Sequence, residues 1–175
     1  GIEKRLFLYR NFPDFTPPNT EDDSITEDNI KIVYAGLLGV AQGLFNVCSK
    51  ITFSKKVSLH IFGAGPEADK IKELNRENVF YHGELERANL HQELKYYQIG
   101  FVPLTNRIYG SVPSKIFESA AMQKPILLGV DGQAREIIEA FSAGIYFEPE
   151  NEEELIVAIH RIKNDTDLYH AIQAG

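Results

Sequence analysis

Apolar residues first fall into a regular rhythm at Ile30. The run "IKIVYAG" is rich in β-branched residues and closes on Gly36, which predicts a buried strand. In "AQGLFNVCSKI" the apolar positions Leu44, Val47, Cys48 and Ile51 recur at helical spacing. "VSLHIFG" predicts a second strand. "PEADKIKEL" predicts a helix with Pro66 at its first position, where a missing N–H loses no hydrogen bond. The alternation continues through the strand "NVFYHG", the helix "ANLHQELKYY" and the strand "IGFVPL". It then passes through a helix opened by Pro113, the strand "PILLG", the helix "QAREIIEAF" and the strand "GIYFEP". A last helix is predicted from Glu152, with Asn151 as its N-cap and Glu152, Glu153 and Glu154 set against the positive end of the helix dipole.

Strands alternating with helices predict right-handed βαβ crossovers. The expected fold is therefore α/β: a Rossmann-like parallel six-stranded sheet with helices on both faces. In such sheets ligands bind beyond the carboxyl ends of the strands, where the strand order reverses. Residues 36–39, 63–66, 82–85 and 107–114 all follow strands, so they should gather on one edge beside the amino end of the Pro113 helix. Residues 1–29 are different. "NFPDFTPPNTEDDSITEDN" is rich in proline, asparagine, threonine and acids and lacks apolar periodicity, so it reads as a linker or extended lead-in, and 30–175 as one domain.

Composition narrows the function. The 175 residues are one domain's worth, and 43% hydrophobic content suffices for a core. A net charge of −7 opposes nucleic-acid binding, which needs a basic face. No apolar run approaches the roughly 20 residues of a membrane span. Cys48 is the one cysteine. It excludes a disulfide framework or cysteine metal site, suits a reducing cytosol, and reads as core rather than as a nucleophile.

Several short patterns compete for a chemical role. "GAGPEA" fits a dinucleotide fingerprint, with Glu84 about 20 residues on as the ribose acid. It also fits a tight turn into a proline-started helix. Its place after the second strand, and the amide that Pro66 removes, speak against the dinucleotide. "DTD" at 165–167 looks like a metal-binding pair but falls between two terminal helices, where Asp165 or Thr166 serves as an N-cap. The five histidines have no ligand-like spacing. His60, His160 and His170 read as structural or surface residues, and His82 alone lies at the edge.

The Pro113 helix is the strongest candidate. Its start gathers Ser111, Val112, Pro113, Ser114 and Lys115: free amides, hydroxyls and an ammonium that together suit an anion. Ile116, Phe117, Ala120, Ala121 and Met122 form its apolar set. One turn in stands Glu118. A carboxylate there would repel a phosphate but could accept hydrogen bonds from the vicinal hydroxyls of a neighbouring ribose. It could equally be a solvent-facing glutamate supporting its own helix.

Taken in order, "IKIVYAGLLGVAQGL", "LHIFGAGPEADKIKEL", "NVFYHGEL", "ELKYYQIGFVPL", "VPSKIFESAAMQKPIL" and "GQAREIIEAFSAGIYFEPENEEELIVAI" resemble the carboxyl-terminal half of retaining GT-B glycosyltransferases of the GT4 family. The likeness is greatest to the branch that builds bacterial capsule and O-antigen polysaccharides. It covers nearly everything after Ile30. It implies a nucleotide-sugar donor domain, with a UDP-sugar the expected ligand and neither cofactor nor metal. In the family the second glutamate of an E-x7-E motif holds the donor's ribose, and Glu118 matches it. Gly36, Gly39, Gln42, Gly63, His82, Leu85, Arg107, Ser111, Ser114 and Lys115 are the other donor-binding residues the resemblance implies. No catalytic residue is assigned.

The chain departs from the family at specific places. The first motif glutamate falls on Gly110, and the basic phosphate pair falls on Leu37 and Gln42. Lys115, with Arg107 second, is expected to supply the lost positive charge. The resemblance also implies that the acidic lead-in is the interdomain linker of a longer enzyme, cut at Gly1. An amino-terminal acceptor domain would be the partner, and the whole would work in the cytoplasm, at the inner membrane surface. A sugar-nucleotide epimerase or a non-catalytic nucleotide-binding domain is the alternative.

Overall fold

The computed structural model describes residues 29–105 and 112–174. Six strands, β1 (Ile30–Ala35), β2 (Val57–Phe62), β3 (Val79–Gly83), β4 (Ile99–Pro103), β5 (Ile126–Gly129) and β6 (Gly144–Tyr146), form one sheet in the order β3-β2-β1-β4-β5-β6. Every pairing is parallel. The order reverses between β1 and β4, as expected for an α/β sheet in which each strand is followed by a crossover.

The α-helices are α1 (Leu44–Lys50), α2 (Ala68–Glu73), α3 (Arg87–Leu94), α4 (Lys115–Ala121), α5 (Gln133–Ala140), α6 (Glu152–Asn164) and α7 (Thr166–Ala174). On one face Ile30, Ile32 and Tyr34 of β1 and Leu59 and Ile61 of β2 pack with Leu44 and Cys48 of α1. Ile159 and Ile162 of α6 and Tyr169 of α7 complete that core. On the other face, Val33 and Phe62 pack with Leu94 of α3, Tyr97 and Met122, while Ile116 of α4 and Ala134 and Ile138 of α5 cover Val102 and Leu128. Side chains that alternate along each strand therefore feed two separate apolar layers, which is why the central strands are apolar nearly throughout.

The predicted elements are all present, with local corrections. The first helix is broken: residues 40–42 form a 3-10 turn, Gly43 turns left-handed at φ 64°, and α1 begins only at Leu44. Ile51 is the extended residue that ends α1, yet it remains buried. Pro66 stands ahead of α2 rather than at its first position. In α4, Ile116 is buried, but Ala120 is exposed and is not part of the sheet-facing set. Asn151 caps α6, its Oδ1 accepting from the Glu154 amide at 3.1 Å. Asp165 does the same for α7, accepting from the Leu168 amide at 2.8 Å, so "DTD" is a helix start. Cys48 is fully buried and burial pushes its thiol up to about 12, which removes it as a nucleophile.

The loops after β1 and β2 are stacked backbone on backbone. The Gly36 amide donates to the Phe62 carbonyl at 2.9 Å, and the Leu38 amide to the Ala64 carbonyl at 2.9 Å. Gly63 sits at φ 136°, and a Cβ there would lie 1.8 Å from the Gly36 oxygen. The position thus combines a backbone conformation closed to most residues with a contact no side chain can make. Gly63→Ala is expected to lower stability by about 3 kcal/mol, read from the urea midpoint at unchanged m-value.

Candidate functional site

Because β1, β2 and β3 are parallel, the chain leaves all three on the same side, and the β2–β3 register shifts by one residue between Ile61 and Phe62 just before that edge. The Gly63 amide donates to the Gly83 carbonyl at 2.8 Å, and the Tyr81 hydroxyl donates to the Gly63 carbonyl at 3.0 Å. A cleft of about 500 Å³ opens there, walled by the backbone of Gly36, Gly63 and Gly65 and by the apolar side chains of Leu37, Leu85 and Leu90. Leu37 is 60% exposed on its rim. Gly39 and Gln42 turn back on each other, with the Gln42 Oε1 accepting from the Gly39 amide at 3.1 Å. That side chain is engaged in closing its own turn.

The start of α4 adjoins the β1 loop from the other side of the reversal in strand order. The Lys115 ammonium lies 5.4 Å from the centre of the Tyr34 ring, and a Cβ on Gly36 would come within 2.4 Å of its Nζ. Lys115 therefore fills the space that the glycine leaves open. Burial pulls its pKa below the usual lysine value, and the Glu118 charge opposes that shift. Tyr34 anchors the same loop from beneath, its hydroxyl donating to the Leu37 carbonyl at 2.6 Å.

Fewer backbone amides are open at this helix start than its sequence suggests. The Ile116 amide donates to the Pro113 carbonyl at 3.1 Å, and the Phe117 amide to the Ser114 carbonyl at 3.0 Å. The Ser114 side chain is exposed and makes no capping bond. The ammonium of Lys115 is consequently the principal attraction for an anion among the described residues of this segment. Arg107, Gly110 and Ser111 lie outside the described residues.

Glu118 is not a free surface carboxylate. Its Oε1 accepts a hydrogen bond from His91 Nε2 at 3.0 Å, and its side chain is 26% exposed. With Lys115, Ser119 and Lys124 it borders a void of about 20 Å³ above Val33 and Ala35, a space of roughly one water molecule. Lys124 donates from Nζ to the Tyr97 carbonyl. His91 did not stand out by spacing. The available signal was its position one helical turn before Leu94 on the inner face of α3, where a polar ring must find a partner.

His82 is directed elsewhere. Its Nε2 lies 2.9 Å from His60 Nδ1, its ring stacks on Phe62 at 4.6 Å, and it is not among the residues that wall the cleft. The other ring nitrogen of His60 meets the Ser58 hydroxyl at 3.0 Å. His160 and His170 are exposed. Among the described residues no group of three or more histidine, cysteine or acidic side chains could hold a metal ion, and no helix is long and apolar enough to cross a membrane.

A parallel sheet whose order reverses beside a glycine-walled cleft, with a lysine and a carboxylate at the next helix start, defines a Rossmann-like α/β domain with a polar edge site. The sequence matches the glycosyl transferases group 1 family over residues 18–174, and the chain belongs to that family. No curated protein matches it. Among solved structures, HepE of Anabaena in complex with UDP and glucose superposes with a TM-score of 0.68 at 20% identity over 84% of this chain and 42% of that one. The carboxyl-terminal domain of a group 1 glycosyl transferase from Francisella tularensis gives 0.64 at 13% identity, covering 93% and 89%. The catalytic domain of the cholesterol-α-glucosyltransferase of Helicobacter pylori gives 0.60 at 18% identity, covering 83% and 92%. These likenesses establish the GT-B type of fold. The chain spans less than half the length of HepE.

The paired histidines have a consequence for stability. Burial holds His60 in its neutral form down to about pH 4, with His82 and Lys31 adding to the effect, and burial lowers His82 as well. The unfolded chain takes up these protons near pH 6.5, so between pH 6.5 and 4 it binds more protons than the folded chain. Stability should be complete above about pH 6.5 and fall as pH drops toward 4. Thermal melts across that window should show a shallower acid limb for His60→Phe than for the parent.

Proposed function

We propose that this chain is the donor-binding, carboxyl-terminal part of a glycosyltransferase that uses a UDP-sugar. The observation that carries the reading is the pairing of Lys115 and Glu118 one turn apart at the glycine-walled edge. The ammonium suits a diphosphate, and the carboxylate, one turn deeper, suits the adjoining ribose hydroxyls. UDP in the HepE complex, together with the fold shared with that protein, supports the choice of ligand. In a full enzyme of the retaining GT4 kind, Lys115 would balance the charge that develops on the departing diphosphate, so no metal is required of this half.

Other parts of the reading rest on resemblance to the capsule and O-antigen branch. They are a hexosyl donor, a growing polysaccharide or lipid-linked acceptor, a bacterial source, and work in the cytoplasm at the inner membrane surface. An amino-terminal acceptor domain would close over the donor and exclude water, so residues 1–175 alone would bind nucleotide without transferring sugar. The uncharged Leu37 and Gln42, where the family carries a basic pair, favour a second reading: a domain that binds nucleotide but no longer catalyses.

Two affinity measurements test the assignment of charge and hydroxyl contacts. Lys115→Ala should weaken UDP by about 1.5–3 kcal/mol while leaving uridine nearly unchanged. Equal losses for the two ligands would remove Lys115 from the diphosphate. Glu118→Gln should weaken UDP by about 1–3 kcal/mol and erase the preference for UDP over its 2′,3′-dideoxy analogue. A parent chain that binds the two analogues alike would sink the ribose contact. Transfer of sugar by the lysine variant at the parent's rate in a full-length enzyme would favour a different phosphate group.

A further inference from the structure

His91 lies on α3, 27 residues before Glu118, and the two side chains meet across the space between α3 and α4. The side chain is 10% exposed, so it is held by its surroundings rather than by water. Leu94, one turn further along α3, belongs to the same apolar cluster as Met122 just after α4, together with Val33 of the sheet. The separation of the two helices is therefore set by packing, and the Nε2–Oε1 distance of 3.0 Å follows from it.

An ionised carboxylate has no proton to give, so Nε2 carries the hydrogen and donates it. One oxygen of Glu118 is then tied to the protein interior. The other keeps its acceptor capacity for a ligand. A long glutamate side chain otherwise samples several rotamers and loses that freedom when it binds. Here the choice has been made before any ligand arrives, which is how preorganisation strengthens a contact.

We propose that His91 is a positioning residue: it fixes the Glu118 carboxylate so that its remaining acceptor sites meet the vicinal hydroxyls of a nucleotide's ribose. The inference rests on the reading of Glu118 as the ribose contact and adds a residue from a different helix to it. It makes the hydroxyl preference a property of the α3–α4 pair rather than of the α4 motif alone.

The test compares UDP with 2′,3′-dideoxy-UDP by calorimetry on the 175-residue chain and its variants. His91→Phe and His91→Leu both remove the donor, one of them keeping a ring, and His91→Gln keeps an amide N–H near the position of Nε2. Either donor-free variant should reduce the preference for UDP by about 5- to 10-fold, the effect of one displaced hydrogen bond, with little change for the dideoxy ligand. His91→Gln should restore most of it. In a Glu118→Gln background, replacing His91 should leave the ratio unchanged. A parent chain that prefers UDP, with donor-free variants that keep that preference or weaken both ligands equally, overturns the role of His91 while the ribose contact stands. A parent chain with no preference overturns the ribose contact and the positioning role together. Should both donor-free variants fail to fold, a His91→Gln chain that loses the preference overturns the donor argument, and one that keeps it upholds the argument.

Discussion

The contact between the β1 and β2 loops governs the edge of this domain. With no side chain on Gly36 or Gly63, the two backbones approach until a single added carbon would collide with a carbonyl oxygen. That approach lets Leu38 and Ala64 exchange a hydrogen bond and returns the chain to Glu67, whose amide donates to the Leu38 carbonyl at 3.0 Å. The result is a floor of paired main chain rather than a ridge of side chains. A flat floor can admit a ligand closely, and it leaves room above Gly36 for the Lys115 side chain.

Charge at that edge is held in place by its neighbours. Lys115 stands over the Tyr34 ring with its pKa lowered by burial, and Glu118 holds part of the ammonium's charge in place from one turn further in. The carboxylate is in turn held by His91 from the facing helix. Each group restricts the next: the aromatic ring limits where the lysine can go, the lysine borders the void beside the glutamate, and the histidine fixes one carboxylate oxygen. The ammonium and the carboxylate thus border the same small void, each restrained from a different side.

The fold was legible because its signals are local. Ile30, Ile32 and Tyr34 alternate with Val33 and Ala35, Asn151 and the three glutamates after it announce α6, and the glycines after each early strand mark where the chain turns. Each of these can be read from a few neighbouring residues, and the sheet's parallel order follows from their alternation with helices. Boundaries were less legible. Gly43 breaks the first helix, and Pro66 lies ahead of α2, because turn hydrogen bonds compete with helix propensity within a residue or two.

For the site, the sequence by itself determined which residue types reach the edge: glycines after β1 and β2, a lysine and a glutamate at the start of α4. Tertiary structure alone decided how they are used. His82 pairs with His60, and Glu118 finds His91. Neither partnership has a signature in spacing, since 22 and 27 residues separate the two pairs. A repeat of 2 or 3.6 residues specifies the face on which a side chain lies. The distance between two such faces depends on how strands and helices pack, and hydrogen bonds form or fail within a few tenths of an ångström of that distance.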